Sequence, residues 1–220
     1  MKLSVLIPVY NECETVAAVL ERVNAVSLEK EIVVVDDGSS DGTTAVLQSL
    51  EGRDYRIIYH PQNRGKGAAI RTALEASTGD VVVIQDADLE YDPEDFATLL
   101  EPITNGETKV VYGVRSLEHQ EFFRRLGNLF LTLVTRVLFR APLHDMETCY
   151  KMMAREVVEQ FTIESNGFEL EPEITAKILK RGYTIREVPI SYSPRSQRKL
   201  NMWTDGPRAL WTLAKYALSK

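Results

Sequence analysis

Asp86, Asp88 and Glu90 follow directly on the apolar run Val81-Val82-Val83-Ile84. They alternate, so if the extended conformation continues past the run, their carboxylates leave on one side. Three carboxylates so placed repel one another unless a cation sits among them. A hard divalent cation, Mg²⁺ or Mn²⁺, takes oxygen ligands and keeps positions open for phosphate oxygens. Any one of these side chains alone reads as part of a solvated acidic loop. The cluster at the carboxyl end of a buried strand points instead to metal, because open α/β sheets bind ligands there. A second acidic group, Asp36-Asp37, follows the strand-like run Glu31–Val35 and leads into Gly38-Ser39-Ser40-Asp41-Gly42-Thr43. Gly38 and Gly42 suit a tight turn, and Asp41 or Thr43 suits a helix cap. His60, His119 and His144 read as solvated loop imidazoles.

The elements that must position these groups come from hydrophobic spacing. Leu3–Ile7 is strand-like and stops at Pro8, which cannot donate to a sheet ladder. Val16, Val19, Leu20 and Val23 share one helical face within Thr15–Val26. Tyr55–Tyr59 and Lys109–Gly113 are further strands; Ala68–Ser77 and a segment from Pro93 through Leu100, capped by Asp92, are further helices. Strand and helix alternating at this pace predict an α/β sandwich with a mostly parallel sheet. The second half changes character. It offers an amphipathic helix over Glu121–Arg140, a strand over Thr148–Met153 and a helix over Glu171–Lys180. Val188, Ile190 and Tyr192 then alternate as in a strand, Ser193–Asn201 is a polar, basic, mobile loop, and Asp205–Leu218 closes as a helix. No repeat or linker divides the 220 residues, so a single domain is expected over 1–220.

Composition is that of an ordinary globular chain, 44% hydrophobic and 26% charged. A net charge of −6 argues against nucleic-acid binding by bulk charge. Cys13 and Cys149 lie far apart without zinc-like spacing, which fits a reduced cytoplasmic chain. No secretory signal is expected. The most apolar stretch, Phe122–Phe139, is interrupted by Arg124, Arg125, Asn128 and Arg136, so no transmembrane span is expected either.

Pro8-Val9-Tyr10-Asn11-Glu12, then Val35-Asp36-Asp37-Gly38-Ser39-Ser40-Asp41-Gly42-Thr43, then Asp86-Ala87-Asp88, in that order, closely resemble family 2 glycosyltransferases. The resemblance continues through Asn63-Arg64-Gly65-Lys66-Gly67, Gly79-Asp80 and Gly113-Val114-Arg115. It also reaches Arg181-Gly182-Tyr183-Thr184-Ile185-Arg186-Glu187-Val188-Pro189-Ile190, which looks like the polyprenyl-phosphate hexose synthase branch. It implies the GT-A fold, a nucleotide-diphospho-sugar transferase sandwich of three layers. Residues 1–115 would bind the nucleotide sugar and residues 116–220 the acceptor. Pro8, Tyr10, Glu12, Val35, Asp37, Lys66, Asp86, Ala87 and Asp88 would line the donor site. Glu12 would accept from a ribose hydroxyl and Asp37 from a ring N–H of the base. Lys66 would approach base or phosphates; as a lysine at a helix start it reads equally well as solvated. Asp86 would touch the nucleotide sugar, and Asp88 and Glu90 would hold Mg²⁺ or Mn²⁺. Relatives often carry a neutral residue at the place of Glu90.

The same resemblance implies an inverting transfer of hexose from GDP-mannose or UDP-glucose to a polyprenyl or dolichyl phosphate. Such an acceptor is already a nucleophile and needs cations rather than a general base. Arg115 and Arg124 match acceptor-phosphate positions, and Asn128, Arg195 and Arg198 are further candidates; Arg125 stands beside them. Arginine's planar fork suits phosphate. Asn128 replaces a serine common in the family, and Asp145-Met146-Glu147-Thr148-Cys149-Tyr150-Lys151 departs from the usual Asp-x-Thr-Ser-Gly-Phe-Arg run. A glycine usual in the late loop is missing near Lys199-Leu200-Asn201. If the acceptor were instead a saccharide hydroxyl, as in cell-envelope polysaccharide synthesis, Asp145 would be the candidate base. With phosphate it would orient an arginine or the sugar. A sugar-nucleotide-binding protein without turnover is a further alternative. A lipid acceptor requires contact with a membrane surface or a membrane-protein partner. The basic, apolar Phe122–Phe139 segment with Trp203, Trp211 and Tyr216 fits peripheral docking at the cytoplasmic face, and equally a helix packed on the core.

Overall fold

The computed structural model describes residues 1–116, 122–195 and 202–219, with the side chains of 122–124 and 202–205 outside the description. In chain order the elements are β1 (Leu3–Val9), α1 (Val16–Ala25), β2 (Lys30–Asp36), α2 (Thr43–Ser49), β3 (Tyr55–Tyr59), α3 (Lys66–Ala76) and β4 (Val81–Ile84). There follow α4 (Phe96–Thr104), β5 (Val110–Arg115), α5 (Phe122–Phe139), β6 (Lys151–Ala154), α6 (Arg155–Val158), α7 (Leu170–Lys180), β7 (Arg186–Ile190) and α8 (Met202–Leu218).

The seven strands form one sheet in the order β3-β2-β1-β4-β6-β5-β7. β1 runs parallel to β2 and β4, with Val5 opposite Ile32 and Val83. β6 is antiparallel to both β4 and β5. Val81–Ile84 and Ile32–Val35 are buried on both faces, which is why they read as unbroken apolar runs. On one face, Ile70 and Leu74 of α3 and Ile174 of α7 meet Leu6, Val82, Ile84 and Met153. On the other, Phe96 of α4 packs at 5.4 Å on the Tyr150 ring. α5, α7 and α8 pack together beyond the sheet.

Five local expectations change. β1 does not stop at Pro8 but runs through it to Val9, with Pro8 opposite Val35. β4 stops at Ile84: Gln85 is buried and accepts from the Tyr150 hydroxyl at 2.6 Å, and Leu89 has a left-handed φ of 62°. Asp86, Asp88 and Glu90 therefore leave a turn, not a strand. β6 spans only Lys151–Ala154, because residues 148–150 form a loop stitched to Tyr91 through the Cys149 N–H. The N-cap of α2 is Gly42, with Asp41 accepting from Thr43 N and Oγ1. His60 is buried, not solvated: its Nδ1 lies 2.6 Å from Asp37 and its Nε2 2.9 Å from Thr72. His144 does lie on an exposed loop, beside Glu187.

Candidate active site

β2 and β3 are added on one side of β1 and β4 on the other, and a crevice opens between β1 and β4 at the carboxyl ends of these parallel strands. It holds a cavity of about 420 Å³, within the range of small-molecule sites. The lining follows the strand order. Asp37 comes from the tip of β2 and Pro8, Tyr10 and Glu12 from β1; Asp86, Ala87, Asp88 and Glu90 follow β4. Glu147 and Cys149 precede β6, and Arg115 ends β5. Val35 does not reach the cavity, because it lies fully buried within β2.

The loops at the β1 and β2 tips are knit together. Asn11 adopts φ 51° and donates its N–H to Ser39 Oγ, while its side chain accepts from Ser40 N. Asp37 is buried and accepts from the N–H groups of Arg64 and Gly65 as well as facing His60. This carboxylate thus sets the loop that starts α3. Gly65 (φ 95°) and Gly67 are required there, since a Cβ at either would strike the backbone of residues 165–166. Gly67 N in turn donates to Asn166 O at 2.8 Å, which brings Gly167 and Phe168 against the cavity.

Lys66 is not solvated. Its ammonium points into the cavity, 2.8 Å from Asp86 and 3.3 Å from Glu171. Burial opposes its charge, yet Asp86, Cys149 and Glu171 hold its pKa well above the ordinary range. Glu171 also pairs at 2.6 Å with Lys151, which is wholly buried under the cavity floor. For Asp86 burial raises the carboxyl pKa, but Lys66 outweighs it and the net shift is downward. Asp88 is pushed up to about 7 by burial and by the neighbouring Asp86 and Glu90.

Glu90 accepts from the Tyr192 hydroxyl and from Arg195 N, both at 3.0 Å. It holds a strap, residues 191–195, of which Arg195 lines the cavity. The Arg195 guanidinium forks onto Glu12 at 2.9 and 3.0 Å and lies 3.8 Å from Asp88. Among the described residues no three His, Cys, Asp or Glu side chains converge closely enough to hold a metal unaided. Asp88 still fits Mg²⁺ or Mn²⁺, ions that take one or two carboxylates and complete their shell with phosphate oxygens and water. Glu90 fits that role less well, since both its oxygens accept from the strap.

Arg115 is buried, lines the cavity and forks onto Asp145 through two bonds of 2.7 Å. Its guanidinium also sits 5.3 Å from the Tyr192 ring. Asp145 lies behind Arg115 and does not line the cavity. Asn128 is half-buried on α5 and likewise not in the lining; Arg124's side chain and all of Arg198 lie outside the described residues. Two lining carboxylates escaped the sequence reading, Glu147 and Glu171. The signal for Glu171 was its spacing: Glu171 and Glu173 are two apart on α7, so they flank the Leu170–Ile174–Ile178 stripe on opposite sides and both end buried. Burial, together with Glu171 and Asp145 and against Lys151 and Arg115, pushes the Glu147 carboxyl up to about 7.

α5 and α8 carry exposed apolar side chains. Leu126, Phe130, Leu133 and Val137 on α5 are each more than half exposed, among the exposed Arg125, Arg136 and Arg140. Trp211 of α8 is exposed too, whereas Tyr216 is buried against α7. Among the described residues no helix is long and apolar enough to cross a membrane.

Dolichol-phosphate mannosyltransferase of Pyrococcus furiosus is 32% identical over 208 residues, which cover 90% of this chain and 58% of that protein. Polyprenol monophosphomannose synthase of Mycolicibacterium smegmatis is 28% identical, covering 87% and 77%. The chain spans between about a third and three-fifths of the first relatives it matches. Glucosyl-3-phosphoglycerate synthase of Mycobacterium tuberculosis, crystallised with Mn²⁺, uridine diphosphate and phosphoglyceric acid, superposes with a TM-score of 0.82 at 20% identity, over 100% of this chain and 79% of that one. At that identity the likeness establishes the fold, a GT-A sandwich. Residues 4–162 match the sequence model of glycosyl transferase family 2, and the chain belongs to that family.

Proposed function

We propose that this chain transfers a hexose, with inversion at the anomeric carbon, from a nucleotide-diphosphate sugar to a polyprenyl phosphate. GDP-mannose and UDP-glucose are the donors considered first. In this reading residues 1–115 hold the donor and residues 116–220 the acceptor within one domain. The observation that carries the phosphate acceptor is the buried fork between Arg115 and Asp145. Asp145 does not line the cavity and both its oxygens are taken up by Arg115, so it is out of reach of a substrate hydroxyl as a base. It is a good device for aiming the remaining N–H donors of Arg115 at an anion. A phosphate brings its own negative oxygen and needs aiming, not deprotonation.

The other residues fall into place along the edge. Pro8, Tyr10 and Asp37 form the nucleoside end, and Glu12 takes a ribose hydroxyl once Arg195 releases it. Lys66 holds Asp86 beside the sugar diphosphate. Asp88 supplies a hard oxygen ligand for Mg²⁺ or Mn²⁺, with Glu90 beside it. Such an ion, when bound, offsets charge building on the departing diphosphate. The α5 face supports peripheral docking on anionic lipid at the cytoplasmic face, where apolar residues ringed by arginines lie flat in the interface. The names of the two relatives, a dolichol-phosphate and a polyprenol enzyme, support the same class of acceptor.

The test is a panel of radiolabelled sugar nucleotides incubated with polyprenyl phosphate and Mn²⁺ or Mg²⁺, then extracted into organic solvent. Label entering the organic phase with one donor names the reaction. Label passing only to saccharide hydroxyls would overturn the lipid reading. Binding without transfer to any acceptor would make the chain a sugar-nucleotide-binding protein.

A further inference from the structure

Glu147 makes no hydrogen bond through its buried Oε1 among the described residues. It precedes β6, and β6 lies between β4 and β5 and runs antiparallel to both. The start of β6 therefore meets the cavity edge between Asp86 and Asp88 on one side and Arg115 on the other. Glu147 lines the cavity, yet its buried Oε1 has no hydrogen-bond partner among the described residues. Neither nearby cation is available to it. Lys151 donates to Met146 O and Thr148 O and pairs with Glu171, while Arg115 is forked on Asp145. Glu171 and Phe168 face the same space.

A buried acceptor oxygen without a partner calls for a donor, and among the carboxylates Asp86, Asp88 and Glu171 a hydroxyl fits it better than a further anion. The ligand group that stops beside Glu147 is therefore uncharged and rich in hydroxyls. On the proposed function, on which this inference rests, the group between the diphosphate and the acceptor is the hexose. We propose that Glu147 accepts hydrogen bonds from hexose hydroxyls and decides which hexose the site takes. A site built to bond a hydroxyl rejects an epimer that places it elsewhere, because the buried acceptor is then left unpaired.

The experiment is calorimetric binding of UDP, GDP, UDP-glucose, UDP-galactose and GDP-mannose with Mn²⁺ to wild type, Glu147→Gln and Glu147→Ala. Thermal melts confirm that each variant is folded, and the near-isosteric Gln variant covers failure of the Ala variant. Wild type should bind its preferred sugar nucleotide more tightly than the bare diphosphate. In the variants that advantage should fall by roughly tenfold and the preference among hexoses should narrow, with bare diphosphate affinity kept within about twofold. Unchanged hexose preference in both variants would overturn the assignment alone. So would Glu147→Gln that keeps affinity and preference but loses turnover, which would make Glu147 a proton-transfer group. Absence of any nucleoside diphosphate binding to wild type would instead overturn the reading of the whole cavity.

Discussion

Replacing Asp145 by Asn separates an aiming residue from a general base. In the native pair Arg115 Nε and Nη2 each donate at 2.7 Å, and the Arg115 backbone N–H donates to the same carboxylate at 3.2 Å. Both side chains are almost fully buried. An amide keeps one acceptor and turns an NH₂ toward the guanidinium, so one charge-assisted bond is lost and a buried cation is left half-compensated. Breaking such a pair costs about 3–4 kcal/mol. For a chain of this size that lowers Tm by roughly 10 °C. If Asp145 aims Arg115, acceptor KM should rise by roughly tenfold or more, kcat at saturating acceptor should change by less than about tenfold, and donor KM should hold. Loss of a general base would instead lower kcat by about 10²–10⁴ with acceptor KM unchanged. Steady-state kinetics with polyprenyl phosphate, beside a melting curve, read both. A hundredfold fall in kcat without a change in Tm would refute the aiming argument.

Asp88→Asn should abolish the strengthening of nucleotide binding by Mn²⁺ and most of the turnover, measured by calorimetry with and without the ion. Arg195→Ala should remove the fork onto Glu12 and raise amide exchange at residues 191–193 by roughly tenfold, the opening of about 1.4 kcal/mol that a lost fork allows. Phe130→Glu with Leu133→Glu should leave Tm within about 1 °C, since both side chains are exposed, but cut flotation with anionic vesicles by roughly 30- to 150-fold, about 2–3 kcal/mol of lost apolar insertion. Glu31 accepts from Ser4, Thr78, Gly79 and Lys2, and these bonds, against burial, pull its carboxyl down to about 2. A depressed acid stabilises the fold above its unfolded value near 4.5 and loses that effect as pH falls through about 2. Wild type should therefore melt above Glu31→Gln by the equivalent of about 1 kcal/mol at neutral pH, after screening, and the two curves should converge near pH 2.

The sheet was legible because parallel strands buried on both faces leave apolar runs with no polar alternation, as in Val81–Ile84 and Ile32–Val35. The cavity residues at the tips of β1, β2 and β4 were legible for a related reason: they follow those strands directly, so position in sequence nearly gives position in space. What was hidden depends on partners far along the chain. The turn after Ile84 follows from Gln85 meeting Tyr150, 65 residues on. The burial of His60 follows from Asp37, and the engagement of Glu12 from Arg195, 183 residues away. Glu147 joins the site only because β6 enters antiparallel, a direction that a four-residue strand does not announce.

The charges around the cavity explain why a cation and a nucleotide should arrive together. Among the described residues seven carboxylates line it, Glu12, Asp37, Asp86, Asp88, Glu90, Glu147 and Glu171, against Lys66, Arg115 and Arg195. Of these cations Lys66 is paired with Asp86 and Arg115 with Asp145, while Arg195 lies near Asp88. A diphosphate entering this surroundings adds negative charge where negative charge already dominates, and at separations of about 4 Å each such repulsion is worth several kcal/mol at the dielectric of a half-buried site. Arg195 cannot both fork on Glu12 and make room for a ribose at Glu12. On the proposed function the strap would give up one carboxylate for the donor to bind, and a divalent cation held at Asp88 would replace the charge that leaves with it. Donor binding measured without divalent cation should on this argument be weak in wild type, and saturating Mn²⁺ should strengthen it in both wild type and Arg195→Ala; donor affinity in wild type that is independent of Mn²⁺ would refute it.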